Sequence, residues 1–336
     1  MELKTGLNNV AILSIVIAIC LLLAGCSSSD DLVSETVGDT EPTREEAIPA
    51  DAVKVTPDTD LYPPVVHSAS WADPIPMPGP VNTAGAEDAP VISADGTIFI
   101  FFFTPDANLP AEDQVVDGVS GIWWCTWDGS NWTDPVRAYI FDRDETHLDG
   151  PFAVQQNTLW FGSIRSGNYG LIDIFTAELS GGEWTNWQNA GAQLNLDYDI
   201  GELYLTEDGN ELYYGSTTGG NGQTDLWLTT RSGQTWSAPV NLGAPVNTAG
   251  DESRPFISSD GTELWFTRAV STMGYPGPAV FRSVKSGQAW SDPEEIVSNY
   301  VGDPGLDEDR NLYFTHVFYD AEGHKIEADI YVAYHQ

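Results

Sequence analysis

The chain has 336 residues, with 13 basic against 50 acidic side chains and a formal net charge of −37. Such a surface repels polyanions, which excludes nucleic acid and anionic lipid as electrostatic partners and leaves cations, cationic partners or neutral glycans. The 12 Trp, 13 Tyr and 13 Phe supply core material, the 32 Gly and 21 Pro call for many turns, and no helical periodicity is sustained; together they indicate a turn-rich all-β domain.

In chain order, Lys4 precedes an apolar run from Val10 to Leu23. The run is short for a membrane span, which needs roughly 20 apolar residues. It ends in Leu23-Ala24-Gly25-Cys26, followed by Ser27-Ser28-Ser29-Asp30. Small residues before a cysteine at this place resemble the lipobox of bacterial lipoproteins. The resemblance implies a signal peptide over residues 1–25 and lipidation of Cys26. A secretory signal cut elsewhere or an uncleaved anchor helix would leave the same pattern. With Cys20 and Cys26 in this region, only Cys125 falls in the folded part, so no disulfide forms there. No Cys/His cluster has zinc-like spacing. Residues 26–65 are rich in acids and proline, with no aromatic residue from Asp30 to Asp60, and read as a disordered tether. Ser27 stands where an Asp would mark inner-membrane retention, so the expected location is extracytoplasmic, lipid-anchored at the outer membrane or cell surface.

Residues 66–336 carry three repeated signatures. The first is Trp-x-x-Pro, at Trp71, Trp132, Trp236 and Trp290, with a variant at Trp184. The second is an acidic turn leading into an aromatic strand. Ser93-Ala94-Asp95-Gly96 precedes Ile98 to Phe103, and Ser258-Ser259-Asp260-Gly261 precedes Glu263 to Phe266. Equivalent strands begin near Leu159, Glu211 and Leu312. Asp-Gly supplies the positive φ of a tight hairpin. The third signature is Asp173-Ile174-Phe175, Asp225-Leu226-Trp227 and Asp329-Ile330-Tyr331, with Gly121-Ile122-Trp123 and Ala279-Val280-Phe281 in the equivalent places. Each repeat therefore reads as four antiparallel strands, and five repeats as a five-bladed β-propeller.

These motifs resemble the PD40, or WD40-like, repeats of TolB-type propellers over residues 71–336. Trp71 precedes any inner strand, and the last repeat has no Trp-x-x-Pro of its own. The expected solution is an N-terminal strand near residues 70–80 in the last blade, closing the ring and removing an open sheet edge.

Loops entering the inner strands and loops joining the second and third strands share one face of a propeller. On that face the sequence places Glu87, Asp88, His147, Asp149, Asp199, Glu202, Asp251, Glu252, Arg254, Asp303 and His316 as candidate ligand-binding residues. Arg165 and Arg268 stand out in so acidic a chain, and ion pairing with the acids is their expected role. Tyr169, Tyr275 and Tyr319 are candidates for stacking on sugars. The carboxylates would order turns, bind a cation such as Ca²⁺, or perform glycoside hydrolysis, which needs two of them about 5 to 9.5 Å apart. The expected function is non-catalytic binding of a glycan, peptide or protein at the cell envelope, on the loop-rich face. The alternative is a glycan-active hydrolase using the channel-mouth carboxylates, and a third class is a purely structural envelope protein.

Overall fold

The computed structural model describes residues 42–336 apart from 143, 144, 197, 199, 234 and 288. The apolar run and Cys26 lie outside the described residues, among which no helix is long and apolar enough to cross a membrane. After helix α1 (Arg44–Ala47) come two short strands, β1 (Val65–Val66) and β2 (Ile75–Pro76). Five antiparallel meanders follow. The first is β3 (Ala86–Ile92), β4 (Ile98–Thr104), helix α2 (Ala111–Gln114), β5 (Gly121–Thr126) and β6 (Val136–Arg137). The second is β7 (Leu148–Gln155), β8 (Thr158–Ile164), β9 (Asp173–Ser180) and β10 (Glu183–Asn189), followed by helix α3 (Ala192–Asn195). The third is β11 (Leu203–Leu205), β12 (Glu211–Ser216) and β13 (Asp225–Ser232), with β14 (Thr235–Trp236) and β15 (Val240–Asn241) both on β13. The fourth is β16 (Glu252–Ile257), β17 (Glu263–Arg268) and β18 (Ala279–Ser286), with β19 (Ala289–Trp290) and β20 (Glu294–Ser298) on β18. The fifth is β21 (Val301–Leu306), β22 (Leu312–Tyr319) and β23 (Lys325–Ala333).

The acidic turns form as their chemistry demands. Gly96, Gly209 and Gly261 have φ of 68°, 67° and 69°. Asp95 and Asp260 each accept a hydrogen bond from the serine two residues earlier (2.6 Å in both) and so hold the hairpin.

Apolar faces then pair the meanders in order. Ile100 and Trp124 of the first pack with Leu159 and Phe161 of the second, and Phe152 and Trp160 pack with Leu203 and Leu212 of the third. Tyr213 and Leu226 pack with Leu264 and Phe266 of the fourth, and Trp265 and Val280 with Leu312 and Phe314 of the fifth. Tyr313 and Ile330 of the fifth return to Phe99 and Phe101 of the first. The first strands of the meanders, β3, β7, β11, β16 and β21, contact one another in the same cyclic order. The result is an all-β, propeller-like arrangement of sheets around an axis. Strand β2 lies antiparallel on β23, Ile75 opposite Val332 and Pro76 opposite Tyr331.

One expectation is corrected. Residues 42–65, read above as tether, are packed on the domain. Thr43 caps α1 with a reciprocal capping box, and Arg44 is 2% exposed. Lys54 bonds Glu327 (2.7 Å) and Asp329, Asp60 pairs with His316 at 3.0 Å, and β1 lies on β20. The segment does lack apolar periodicity, as its composition says. Arg44, Lys54 and Asp60 seat it by ion pairs, alongside isolated apolar contacts from Ala47, Ile48, Val55 and Tyr62, and apolar periodicity registers neither.

Candidate functional site

Proline cannot donate to a sheet ladder, so an X-Pro pair inside a strand forces a bulge. Four of the five inner strands carry one, and the register slips at each: between Asp88 and Val91, Pro151 and Ala153, Ser253 and Phe256, and Gly302 and Gly305. The residue before proline is left-handed in three, Ala89 (φ 51°), Arg254 (φ 53°) and Asp303 (φ 57°). Each costs on the order of 1 kcal/mol for a residue with a Cβ, and such strain persists where the surroundings over-determine it.

Three of the bulges bring Asp88, Arg254 and Asp303 to the axis, where Glu202, just before β11, joins them. Arg254 Nε lies 3.0 Å from Asp303 Oδ1 and 3.5 Å from Glu202 Oε1. Asp88 stands beside them, accepting hydrogen bonds from Ala89 N (2.7 Å) and Thr315 Oγ1 (3.0 Å). Asp303 N donates to Thr267 Oγ1 at 2.9 Å. All four side chains are buried. Burial drives Asp303 well above the usual carboxylate range, and the Asp88 charge adds to it. Burial also acts on Asp88, but the neighbouring Asp303 carboxyl, Arg254 and the Ala89 and Thr315 hydrogen bonds outweigh it and hold Asp88 low. Burial opposes the Arg254 charge too, and Asp303, Glu202 and Asp88 outweigh it.

The space around this cluster is about 40 Å³, walled by Pro90, Pro151, Phe152, Tyr204, Pro255, Phe256 and Pro304. It holds a few water molecules at most. Waters there would serve Arg254 Nη2 and both Asp303 oxygens, which have no hydrogen-bond partner among the described residues. Among those residues no group of three or more His, Cys, Asp or Glu side chains is arranged to hold a metal. At the axis a guanidinium occupies the centre a cation would need, so the residues present do not fit Ca²⁺.

The other candidates are not gathered here. Glu87 pairs with Arg44 (3.2 Å), Glu252 with Arg268 (2.9 Å), and Asp149 with Arg165 (2.7 Å) and His147 (3.2 Å). His316 is buried against Asp60, and Asp251 is half-buried at the start of the fourth meander. Asp199 lies outside the described residues. Tyr319 is a correction: it ends β22, is buried, and packs on Tyr300 with ring centres 4.3 Å apart. Tyr275 leans on His67, and Tyr169 is 51% exposed.

Sequence reasoning missed Arg44, Lys54 and Asp60. A signal was present: Arg44 and Lys54 are the only basic residues between positions 5 and 136.

No family model and no curated protein matches this chain. Solved structures similar to it include the putative TolB from Agrobacterium tumefaciens, 15% identical, covering 76% of this chain and 92% of its own, with a TM-score of 0.39. An exo-1,5-alpha-L-arabinanase from a bovine ruminal metagenomic library is 14% identical, covering 76% and 94%, with a TM-score of 0.42. A protein of unknown function from Dyadobacter fermentans is 13% identical, covering 82% and 99%, with a TM-score of 0.42. At these TM-scores the fold rests on the strand order and packing given above.

Proposed function

We propose that residues 66–336 form a five-bladed β-propeller that binds a peptide or protein on its loop face without catalysis, as the exposed domain of a cell-envelope lipoprotein anchored through Cys26. The cyclic packing of the meanders supports the blade number. Closure by the N-terminal strand is supported by β2 on β23 and by a repeated clamp. Asn82 Nδ2 donates to the Ile330 carbonyl of β23 (2.9 Å), and Asn82 Oδ1 accepts from Ile330 N (3.0 Å). Asn247 makes the same pair of bonds to Leu226 of β13 (2.9 and 2.8 Å). Residues 75–82 thus meet the fifth meander as 240–247 meet the third.

The observation that carries non-catalytic binding is the state of the axial carboxylates. Hydrolysis needs two carboxyls facing each other across a sugar. Here Glu202, Asp303 and Asp88 surround Arg254 in a space of about 40 Å³. The loops joining the second and third strands of the first, second and fourth meanders expose apolar side chains instead: Val116, Leu171, Val270 and Met273. Exposed apolar loop tips suit a peptide or protein. A glycan would call for aromatic platforms, and of the three tyrosines in question only Tyr169 stands in the open.

Peptide and glycan arrays, with reducing-sugar release measured in parallel, test the reading. Peptide binding weakened by Met273→Asp or Val270→Asp, with no sugar released, is the expected result. Sugar release that disappears in Glu202→Gln or Asp303→Asn would establish the hydrolase instead. Palmitate labelling that is lost in Cys26→Ser tests the anchor.

A further inference from the structure

On the face opposite the loops, the axis opens into a second space that none of the candidate site residues lines. Its volume is about 440 Å³, within the range of small-molecule sites. Tyr204 and Phe256, ring centres 4.6 Å apart, line both spaces and form the floor between them. The walls are Val154, Leu205, Ile257 and Leu306. The mouth carries Asp95, Glu207, Asp260, Asp307 and Glu308, and Arg310 is the one cation among its lining residues. Arg310 is already neutralised, donating to both Glu263 oxygens at 3.0 and 2.8 Å. Asp95 and Asp260 stay ionised well into acid, because the hydroxyls of Ser93 and Ser258 hold them below the usual carboxylate range.

We propose that this funnel binds a small organic cation, an ammonium or guanidinium group carried on an apolar stem. The stem lies over Tyr204 and Phe256, and the charge stands level with the ring of carboxylates. Each competing ligand class meets one half of the site badly. An anion is repelled at the mouth, a neutral apolar molecule leaves the carboxylates without a counter-charge, and an inorganic cation gains nothing from the apolar walls. This inference is independent of the loop-face reading, since the two sites lie at opposite ends of the axis.

Calorimetric titration of the full chain with hexylammonium tests it, with hexanoate, hexanol and methylammonium as comparisons. Hexylammonium is expected to bind saturably and to weaken as salt rises. Methylammonium and hexanol should each bind at least about tenfold more weakly, since each lacks one of the two recognised parts, and hexanoate should not bind. Glu207 and Glu308 are exposed, so the double variant Glu207→Gln, Glu308→Gln should fold and bind about tenfold more weakly. Ser259→Trp, also at an exposed rim position, should close the mouth and abolish binding, with circular dichroism confirming the fold of both proteins. Binding of hexanoate as tight as that of hexylammonium would overturn the proposal. So would hexylammonium binding unchanged in both variants, or no saturable binding to the unmodified chain.

Discussion

Glu252 of the fourth meander and Glu87 of the first stand at the end of the same octapeptide pattern, Pro-Val-Asn-Thr-Ala-Gly-x-Glu, at residues 245–252 and 80–87. In both, the threonine four residues earlier donates its N–H (2.9 Å) and its hydroxyl (2.6 Å) to the carboxylate. Both carboxylates also face an arginine that donates to the valine carbonyl of the pattern: Arg268 to Val246 at 3.0 Å, and Arg44 to Val81 at 2.7 Å. The arginines differ in origin. Arg268 ends β17 of the same meander and lies over Phe266 and Phe281, as Arg165 lies over Phe161 and Phe175 in the second. In the first meander β4 places Phe103 opposite Glu87, where Arg268 stands opposite Glu252 in the fourth. Arg44 arrives from outside the repeat and lies over Phe101, Phe103 and Trp123. Lys54 plays a parallel part. Asp173 and Asp225 take a hydrogen bond from Asn189 (2.6 Å) and Asn241 (2.8 Å) of their own meanders, whereas Asp329 takes Lys54. The lesson is that this repeat keeps its acidic sockets while letting the partner come from elsewhere, and two imported cations bind residues 42–62 to the first and fifth meanders.

The harshest way to break the comparison is to remove the strand proposed to close the fold. Deleting residues 66–80 takes away β2, Asn82's approach to β23 and the buried Trp71, which packs edge-on against Trp265 at 5.3 Å. Calorimetry should then show no single cooperative unfolding transition; a melting temperature unchanged by the deletion would refute closure by this segment. Arg44→Ala and Arg268→Ala come next. Each removes the cation from a buried carboxylate, at a cost of up to about 3 to 5 kcal/mol, so both denaturant midpoints should fall. Only Arg44→Ala should also expose residues 42–62 to limited proteolysis, and equal cleavage in the two variants would refute the local-versus-imported distinction. Lys54→Met should destabilise by roughly 2 to 3 kcal/mol by leaving Asp329 unpaired. Adding Asp329→Asn, which removes the stranded charge, should recover most of that loss.

Much of this architecture was legible in the sequence, because it is written in local chemistry. Asp-Gly turns, alternating aromatic strands and the displaced Trp71 locate the strands and the partner of β23 without any long-range information. The axial cluster was half legible. Asp88, Glu202, Arg254 and Asp303 were all singled out, but nothing in the pattern separated them from Glu87, Asp149 and Glu252, which stand at equivalent strand entries and serve individual ion pairs. What marks Asp88, Arg254 and Asp303 is the left-handed residue before proline at Ala89-Pro90, Arg254-Pro255 and Asp303-Pro304, a backbone property that proline inside a strand only hints at, and Glu202 carries no such mark. Residues 42–65 were illegible for another reason. Apolar periodicity measures a continuous face of buried hydrocarbon, and this segment is seated by the ion pairs of Arg44, Lys54 and Asp60 and by a few scattered apolar contacts.

The imported cations also set the subtlest expectation. Burial raises the Glu87 carboxyl to about 7 even with Arg44 beside it, and burial likewise raises Asp329, well above its ordinary range, and Glu327, both against the pull of Lys54. In the unfolded chain these groups titrate near 4. Between that value and 7 the folded protein therefore binds more protons than the unfolded chain, and its stability falls as pH rises through this window. Acidifying from pH 8 to about pH 5 should raise the melting temperature by a few degrees, with a compensating loss only below the range where Asp88, Asp149 and other depressed carboxylates protonate. Glu87→Gln should remove part of this rise, because an amide fills the socket without titrating. An equal rise in the Glu87→Gln protein would move the effect away from the Arg44 socket and onto Asp329 and Glu327.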